Sequence, residues 1–255
     1  MAMPAVTLSI TNRPTRDRVT ASDERAIDVV APTLSLAGLL RLQNWMSPAF
    51  PIGAYTCSHG LESAIADGRV SDATTLRKWI VDVLGHGSGR NDAIVLGASH
   101  ASVVDHDGGG LEDIAELSLA LSAGAERRRE SLSLGASFRR AVAPSSAGID
   151  PLAGIDECPL PVAIGALSAT AALPPLPVLA TALQSTAANL AWIATRLVPL
   201  GQSRTLTLLT ALEPIVAGLA ERAADSTLDD LGGCALLADI DSLRHERLVS
   251  RVCRT

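Results

Sequence analysis

The chain contains 255 residues, of which 47% are hydrophobic and 2% are aromatic, and its formal net charge is −6. This length suits one large domain that can bury a sizeable core. The acidic balance excludes broad binding of nucleic acid, which requires a basic surface. Lys78 is the only lysine among 21 basic residues. Because it lies between Arg77 and Trp79, it cannot belong to a phosphate-binding Gly-Lys-Ser/Thr loop.

The spacing of the cysteines indicates a reduced, cytoplasmic protein. The cysteines are Cys57, Cys158, Cys234 and Cys253. They form no Cys-x-x-Cys pair, so neither a structural zinc site nor a disulfide framework is expected. Residues 1–30 have mixed charges and no apolar signal region, and we expect a disordered leader before one domain over residues 31–255. Five prolines and several polar residues in the uncharged stretch 158–195 exclude a membrane span.

Helical periodicity recurs along the chain, and no segment shows the sustained alternation that is typical of strands. We therefore predict an all-α protein, a single globular bundle of about ten helices. The predicted helices cover about residues 35–47, 56–67, 72–85, 91–104, 111–122, 123–142, 177–198, 204–224 and 239–252. Residues 126–130 form a dense charged patch, residues 144–161 are predicted to be a loop, and Pro214 should kink its helix. An exposed polar tail should follow the last helix.

No catalytic motif is present: the chain has no G-x-S-x-G elbow, no H-E-x-x-H pair and no dinucleotide-binding fingerprint. Cys57, His59 and Glu62 would suit a soft divalent metal if they converged, but this spacing separates the first two on a helix. The alternative is that Ser58 caps the helix, Glu62 supports its N-terminus and Cys57 packs in the core. A second metal candidate of the same kind consists of Cys234, His245 and Cys253.

The C-terminal residues 244–255 are rich in arginine, although the chain as a whole is acidic. Arginine forms bidentate pairs with carboxylates and is favoured over lysine at interfaces. Positive charge at the end of a helix is also stabilised by the helix dipole without any partner. The segment is therefore either an interface or a solvated helix end.

Three segments together resemble the UreF family of urease accessory proteins, in matching order from about Leu34 to Thr255. Residues 47–62, SPAFPIGAYTCSHGLE, resemble the S-P-x-x-P-x-G-[AS]-[FY]-x-x-S-x-G-L-E signature of that family. Residues 196–202, RLVPLGQ, are similar to its R-L-x-P-L-G-Q turn. The third segment is the C-terminal pattern His245-Glu246, Ser250-Arg251 and Arg254. The chain departs from the family's larger, often aromatic tail residues at Val249, Val252 and Cys253.

The resemblance implies an all-helical protein without catalytic activity that takes part in nickel insertion into urease. It implies dimerisation, binding of the accessory protein UreD (also called UreH) and recruitment of the GTPase UreG to apo-urease. Nickel and GTP would be handled by the partner complex, and this chain would bind no cofactor firmly. Two alternatives stay open: direct stimulation of UreG by an arginine of this chain, and an unrelated helical metal or thiol enzyme.

The resemblance also implies roles for individual residues. The residues expected to bind UreD, with the first two fixing the last helix, are His245, Glu246, Ser250, Arg251 and Arg254. Those expected at a dimer interface or facing UreG are Tyr55, Ser58, His59, Glu62, Arg196 and Gln202. Those expected to shape turns are Pro48, Pro51, Gly53, Gly60, Pro199 and Gly201. A core position for Tyr55 and an internal ion pair for Arg196 are the alternatives, and the metal candidates remain Cys57, His59 and His245.

Overall fold

The computed structural model describes residues 33–106, 110–146 and 148–255. Within these ranges it contains α-helices, three short 3-10 helices and no strand, which confirms the all-α prediction. The helices are α1 (Leu36–Trp45), α2 (Leu61–Ala66), α3 (Ala73–Gly85), α4 (Ser88–Val104), α5 (Gly110–Ala120), α6 (Ala125–Val142), α7 (Leu160–Thr170), α8 (Pro175–Leu197), α9 (Gln202–Ala224) and α10 (Leu236–His245). The leader predicted for residues 1–30 lies outside the described residues.

Local capping explains where several helices begin. The Ser35 hydroxyl accepts the Gly38 N–H at 3.0 Å and caps α1. The Asp72 carboxylate accepts the Thr75 N–H at 2.8 Å, and the Thr75 hydroxyl accepts the Asp72 N–H in return, which forms a capping box for α3. Each cap satisfies backbone donors that a helix leaves free at its first turn. The predicted helices at about residues 35–47 and 72–85 begin close to these caps.

The centre of the fold is formed by α4, α7 and α8. The helix α7 packs extensively along α4, and α8 packs along α9. Gly165 makes the first of these contacts possible, because a Cβ atom there would lie 2.3 Å from the Leu96 carbonyl oxygen. The buried side chains are mostly Leu, Ala, Val and Ile, with Trp45 and Phe138 in edge-on contact at a centroid distance of 5.5 Å. Small residues therefore set the close packing of this core.

The structure corrects three of the predicted elements. Helix α2 begins at Leu61 and not at residues 56–58, because Gly60 is left-handed, with φ +84°. Helix α7 was not predicted, since its sequence is apolar on nearly every side and shows no periodicity. Helix α10 ends at His245. Residues 246–252 were predicted to be helical, but the N–H group of Val252 instead donates to the Glu62 carboxylate.

No helix in the described part of the chain is long and apolar enough to cross a membrane. Pro214 lies inside α9, as expected, and α9 nevertheless continues to Ala224.

Candidate functional site

Two of the motif segments lie side by side although they come from opposite ends of the chain. We call residues 47–60 the loop segment and residues 246–255 the tail segment. The Ser58 N–H donates to the Thr255 carbonyl oxygen at 2.5 Å, and the Arg254 N–H donates to the Thr56 carbonyl oxygen at 2.7 Å. Backbone pairing thus holds the tail segment against the loop segment.

The Glu62 carboxylate, on α2, binds the backbone of the tail segment. Its Oε1 accepts the Val252 N–H at 2.7 Å and its Oε2 accepts the Cys253 N–H at 2.8 Å. Burial would raise the pKa of Glu62, but these hydrogen bonds and the contact with His245 outweigh it and hold the pKa below its ordinary value. Glu62 is only 7% exposed. It is an internal anchor for the tail segment and is not exposed to bind a partner.

His245, at the end of α10, connects α2 with α6. Its side chain is fully buried, with Nδ1 2.8 Å from Glu126 Oε2 and Nε2 3.2 Å from Glu62 Oε2. The other oxygen of Glu126 accepts a hydrogen bond from the Arg251 guanidinium at 2.5 Å. The Glu246 carboxylate accepts the Glu126 N–H at 3.0 Å. These contacts fix both the end of α10 and the start of the tail segment.

A third buried carboxylate, that of Glu130 on α6, binds the last residue of the tail segment. It accepts a hydrogen bond from the Thr255 hydroxyl and pairs with Arg127. The imidazole Nε2 of His59 lies 3.0 Å from Glu130 Oε1. Burial would raise the pKa of Glu130, but Arg127, His59 and Thr255 hold it well below its ordinary value. The Nδ1 atom of His59 is buried without a hydrogen-bond partner among the described residues.

The loop segment is also fixed from α8. The Asn189 side-chain amide donates to the carbonyl oxygens of Ala54 and Cys57, at 2.8 and 3.2 Å. The Arg196 guanidinium donates to the Tyr55 carbonyl oxygen at 2.9 Å. Among the described residues Arg196 therefore contacts a backbone carbonyl group and not the carboxylate of the alternative internal ion pair. The Tyr55 side chain is 57% exposed, and the alternative that it occupies the core is wrong.

Two cavities meet beside this network. One, of about 120 Å³, lies among aromatic and aliphatic side chains of α1, α6 and α8, and the other, of about 280 Å³, has a more polar wall. The residues that line both are His59, Asp92, Arg127 and Ser131. The Asp92 side chain lines both cavities and is 42% exposed. Burial raises its pKa, against the opposing effect of Arg127.

The predicted interface residues divide into exposed and buried groups. The exposed ones are Tyr55, Arg196, Gln202, Ser250, Arg251 and Arg254. Ser58, which was predicted at an interface, is fully buried, and its hydroxyl accepts the Glu62 N–H at 3.4 Å. Ser58, Glu62 and His245 are buried and belong to the internal support of the tail segment. The interface prediction for Ser58 and Glu62 is therefore corrected, as is the prediction that His245 binds UreD, while its expected role in fixing the last helix agrees with its contacts. His59 is also largely enclosed, with a side chain 12% exposed.

The three glycines among the predicted turn residues adopt the left-handed conformations that their type allows. The glycines with positive φ include Gly53, Gly60 and Gly201. Gly60 has a further constraint, because a Cβ atom there would lie 2.5 Å from the Ser242 backbone nitrogen on α10. Only glycine permits this close approach between the loop segment and α10.

The described residues contain no group of three or more His, Cys, Asp or Glu side chains placed to hold a metal ion. Cys57 packs in the core, and burial raises the pKa of its thiol to about 12. His59 and His245 both face carboxylates. Cys234 is exposed, and its thiol donates to Asp239 at 3.2 Å. The structure thus does not bring together either set of metal candidates.

The charged patch on α6 is buried, which its sequence did not predict. Glu126, Arg127 and Glu130 are between 6% and 8% exposed. Their spacing of i, i+1 and i+4 puts them on one face of the helix. This spacing is the feature of the sequence that could have indicated a shared environment for the three side chains. A run of charges is usually solvated, so their burial could be recognised only with the tail segment in place.

Comparison with known proteins identifies related sequences. Residues 70–213 match the family model of UreF. A urease accessory protein UreF of Cereibacter sphaeroides is 46% identical over 219 residues, which cover 86% of this chain and 99% of the relative. A urease accessory protein UreF of Rhizobium etli is 42% identical over 221 residues, covering 86% and 97%. That of Mesorhizobium japonicum is 40% identical over 222 residues, covering 87% and 98%.

Proposed function

Because the chain belongs to the UreF family of urease accessory proteins, we propose that it is a non-enzymatic adaptor in urease maturation. In this proposal it dimerises, binds UreD through the tail segment and recruits the nickel-carrying GTPase UreG to apo-urease. Membership of the family overturns the alternative of an unrelated metal or thiol enzyme. The purified chain alone should hydrolyse neither GTP nor urea, but should raise urease activation when UreD, UreG and nickel are present.

The proposal rests on the docked tail segment. Hydrogen bonds fix its backbone, while several of its side chains stay exposed. Val249 is fully exposed and Val252 is 57% exposed, while Arg254 lies at the surface between buried neighbours. The nearby helix α10 adds exposed leucines, namely Leu236, Leu237 and Leu243. Apolar side chains bordered by arginine are typical of a protein interface.

Co-purification with UreD tests this proposal. Val249→Asp places a charge on the tail segment without touching its buried anchors, and it should reduce UreD binding about tenfold or more. Leu206→Asp, at a 56% exposed position on α9, is the matched control and should bind like the unchanged chain. If Val249→Asp and the unchanged chain recover equal amounts of UreD, the tail segment is not the UreD-binding surface.

Regulation of the UreG GTPase is a second candidate function, and the exposed Arg196 favours it. Arg196 lies at the end of α8, beside the exposed Tyr55 of the loop segment. An arginine supplied by a partner can stabilise the charge that develops during GTP hydrolysis. Arg196→Ala should then lower UreG turnover, whereas Arg222→Ala, an exposed arginine on α9, should not. Stimulation that survives every single Arg→Ala change would exclude an arginine finger.

The paired cavities support a further part of the proposal, a route by which nickel passes toward urease. Asp92 contributes a carboxylate to both cavities, and oxygen and imidazole ligands suit divalent metals. Asp92→Asn should reduce nickel-dependent activation while the chain still co-purifies with UreD and UreG. If activation is unchanged, these cavities are not the route.

A further inference from the structure

Four of the six aromatic residues of this chain line one cavity. The sequence contains three Trp, two Phe and one Tyr. Those that line the cavity of about 120 Å³ are Trp45, Phe50, Tyr55 and Phe138. The ring centroid of Phe138 lies 5.5 Å from those of both Trp45 and Phe50. The buried core is otherwise mostly aliphatic, so the aromatic residues are concentrated at this cavity, and aromatic walls are typical of sites for small molecules.

The volume of this cavity sets the size of the molecule that it can hold. Protein interiors are close-packed, and voids larger than a water molecule are few. An apolar cavity of about 150 Å³ stays dry and binds benzene or xenon. The cavity described here, of about 120 Å³, is close to that volume. Atoms that line an empty apolar cavity lack contacts on one side, and an apolar ligand supplies them.

Polar side chains of α8 in the cavity wall already have partners within the protein. The Ser185 hydroxyl donates to the Met46 carbonyl oxygen at 3.0 Å, and the Asn189 amide donates to that of Ala54 at 2.8 Å. Because they are hydrogen-bonded, these groups do not require a polar ligand. They also fix the chain to α8 on both sides of residues 47–53, which holds this wall of the cavity in place.

The cavity adjoins the surface at the loop segment. Its wall includes Pro48, which is exposed, and Tyr55, which is 57% exposed. His59, whose Nδ1 has no hydrogen-bond partner among the described residues, also borders the second, more polar cavity. A small molecule can therefore enter beside the loop segment without unfolding of the core.

We propose that this cavity is a binding site for a free apolar molecule no larger than one aromatic ring. The aromatic side chains of its wall can contact such a ring edge-on or in an offset stack. A bound molecule fills the space between the loop segment, α6 and α8, and thereby supports the loop segment from within. The site belongs to the isolated chain and does not depend on the proposed function.

Benzene, added to the full chain with ¹³C-labelled methyl groups, tests the site by nuclear magnetic resonance. Its ring current should shift the methyl signals of Ile52, Ile164 and Leu183, which line the cavity, and the shifts should saturate as benzene is added. The methyl signals of Leu206 and Leu236, which are exposed elsewhere, should not change. If the lining methyl groups show no saturable shift, or if only exposed leucines respond, the proposal is wrong.

A variant that fills the cavity tests its location. Ala182 lines the cavity, whereas Ala188 on the same helix lines neither cavity, and both are half-buried. In Ala182→Leu, the affinity for benzene should fall about tenfold or more, because the new side chain occupies the space of the ligand. Ala188→Leu is the matched control and should bind benzene like the unchanged chain. Equal affinity in all three chains would place benzene elsewhere and overturn the proposal, and where Ala182→Leu does not fold, the methyl shifts of the unchanged chain decide.

Discussion

Replacing Glu62 with glutamine tests whether this carboxylate holds the tail segment. Glutamine keeps the shape of the side chain but offers one acceptor oxygen where Glu62 uses two, for the N–H groups of Val252 and Cys253. One of these buried N–H groups then faces the side-chain amide and loses its acceptor. A hydrogen bond to a charged group contributes about 1.5–3 kcal/mol. The docking equilibrium should therefore fall roughly 10- to 160-fold.

Hydrogen exchange of residues 246–255, compared between Glu62→Gln and the unchanged chain at pH 6.5, measures this loss. Glu112→Gln, at an exposed position on α5, is the matched control and should leave exchange unchanged. The pKa of Glu62 is held low, so its stabilisation should be complete above the ordinary glutamate range and disappear only as pH falls through the lowered value. Unchanged protection of the tail segment in Glu62→Gln would refute the anchoring role.

Three further predictions concern the body of the protein. Gly60→Ala should destabilise the fold by roughly 1–3 kcal/mol more than Gly68→Ala, since both have positive φ but only Gly60 touches other backbone; equal urea midpoints would contradict this. Asp241→Asn should cost about 1.5–3 kcal/mol, because it removes the buried carboxylate from its pair with Arg69 and leaves that arginine only its second, more exposed partner Asp67. Asp150→Asn, in an exposed ion pair, should cost less than about 1 kcal/mol, and similar losses would refute the distinction. Iodoacetamide should modify Cys234 first, because the other three thiols are buried and burial raises their pKa; earlier labelling elsewhere would disagree.

The helices that could be predicted are those whose signals are local. Ser35 and Asp72 cap the helices that follow them, and the apolar residues of α3 recur at helical spacing. Such patterns involve residues three or four positions apart, so they are visible in the sequence. The end of α10 is different. The Val252 N–H binds a carboxylate 190 residues earlier, and no local pattern contains that contact.

The candidate site was predicted in part for the same reason. The motifs identified the loop segment and the tail segment, but not that each supports the other. Glu126, Arg127 and Glu130 were seen as a charged patch, and charge alone predicts exposure. Their burial depends on Arg251 and Thr255, which come 125 residues later than Glu126 and Glu130 respectively. Only the assembled fold shows these partners together.

The distance in sequence between the carboxylates and the tail segment also orders events during protein synthesis. Glu62, Glu126 and Glu130 leave the ribosome well before His245, Arg251 and Thr255, which donate hydrogen bonds to them. Until those residues emerge, α2 and α6 cannot pack without leaving carboxylates buried and incompletely paired. We therefore expect a chain that stalls before residue 245 to keep this region open to proteases. The burial of these carboxylates therefore depends on partners that are synthesised more than 100 residues after them.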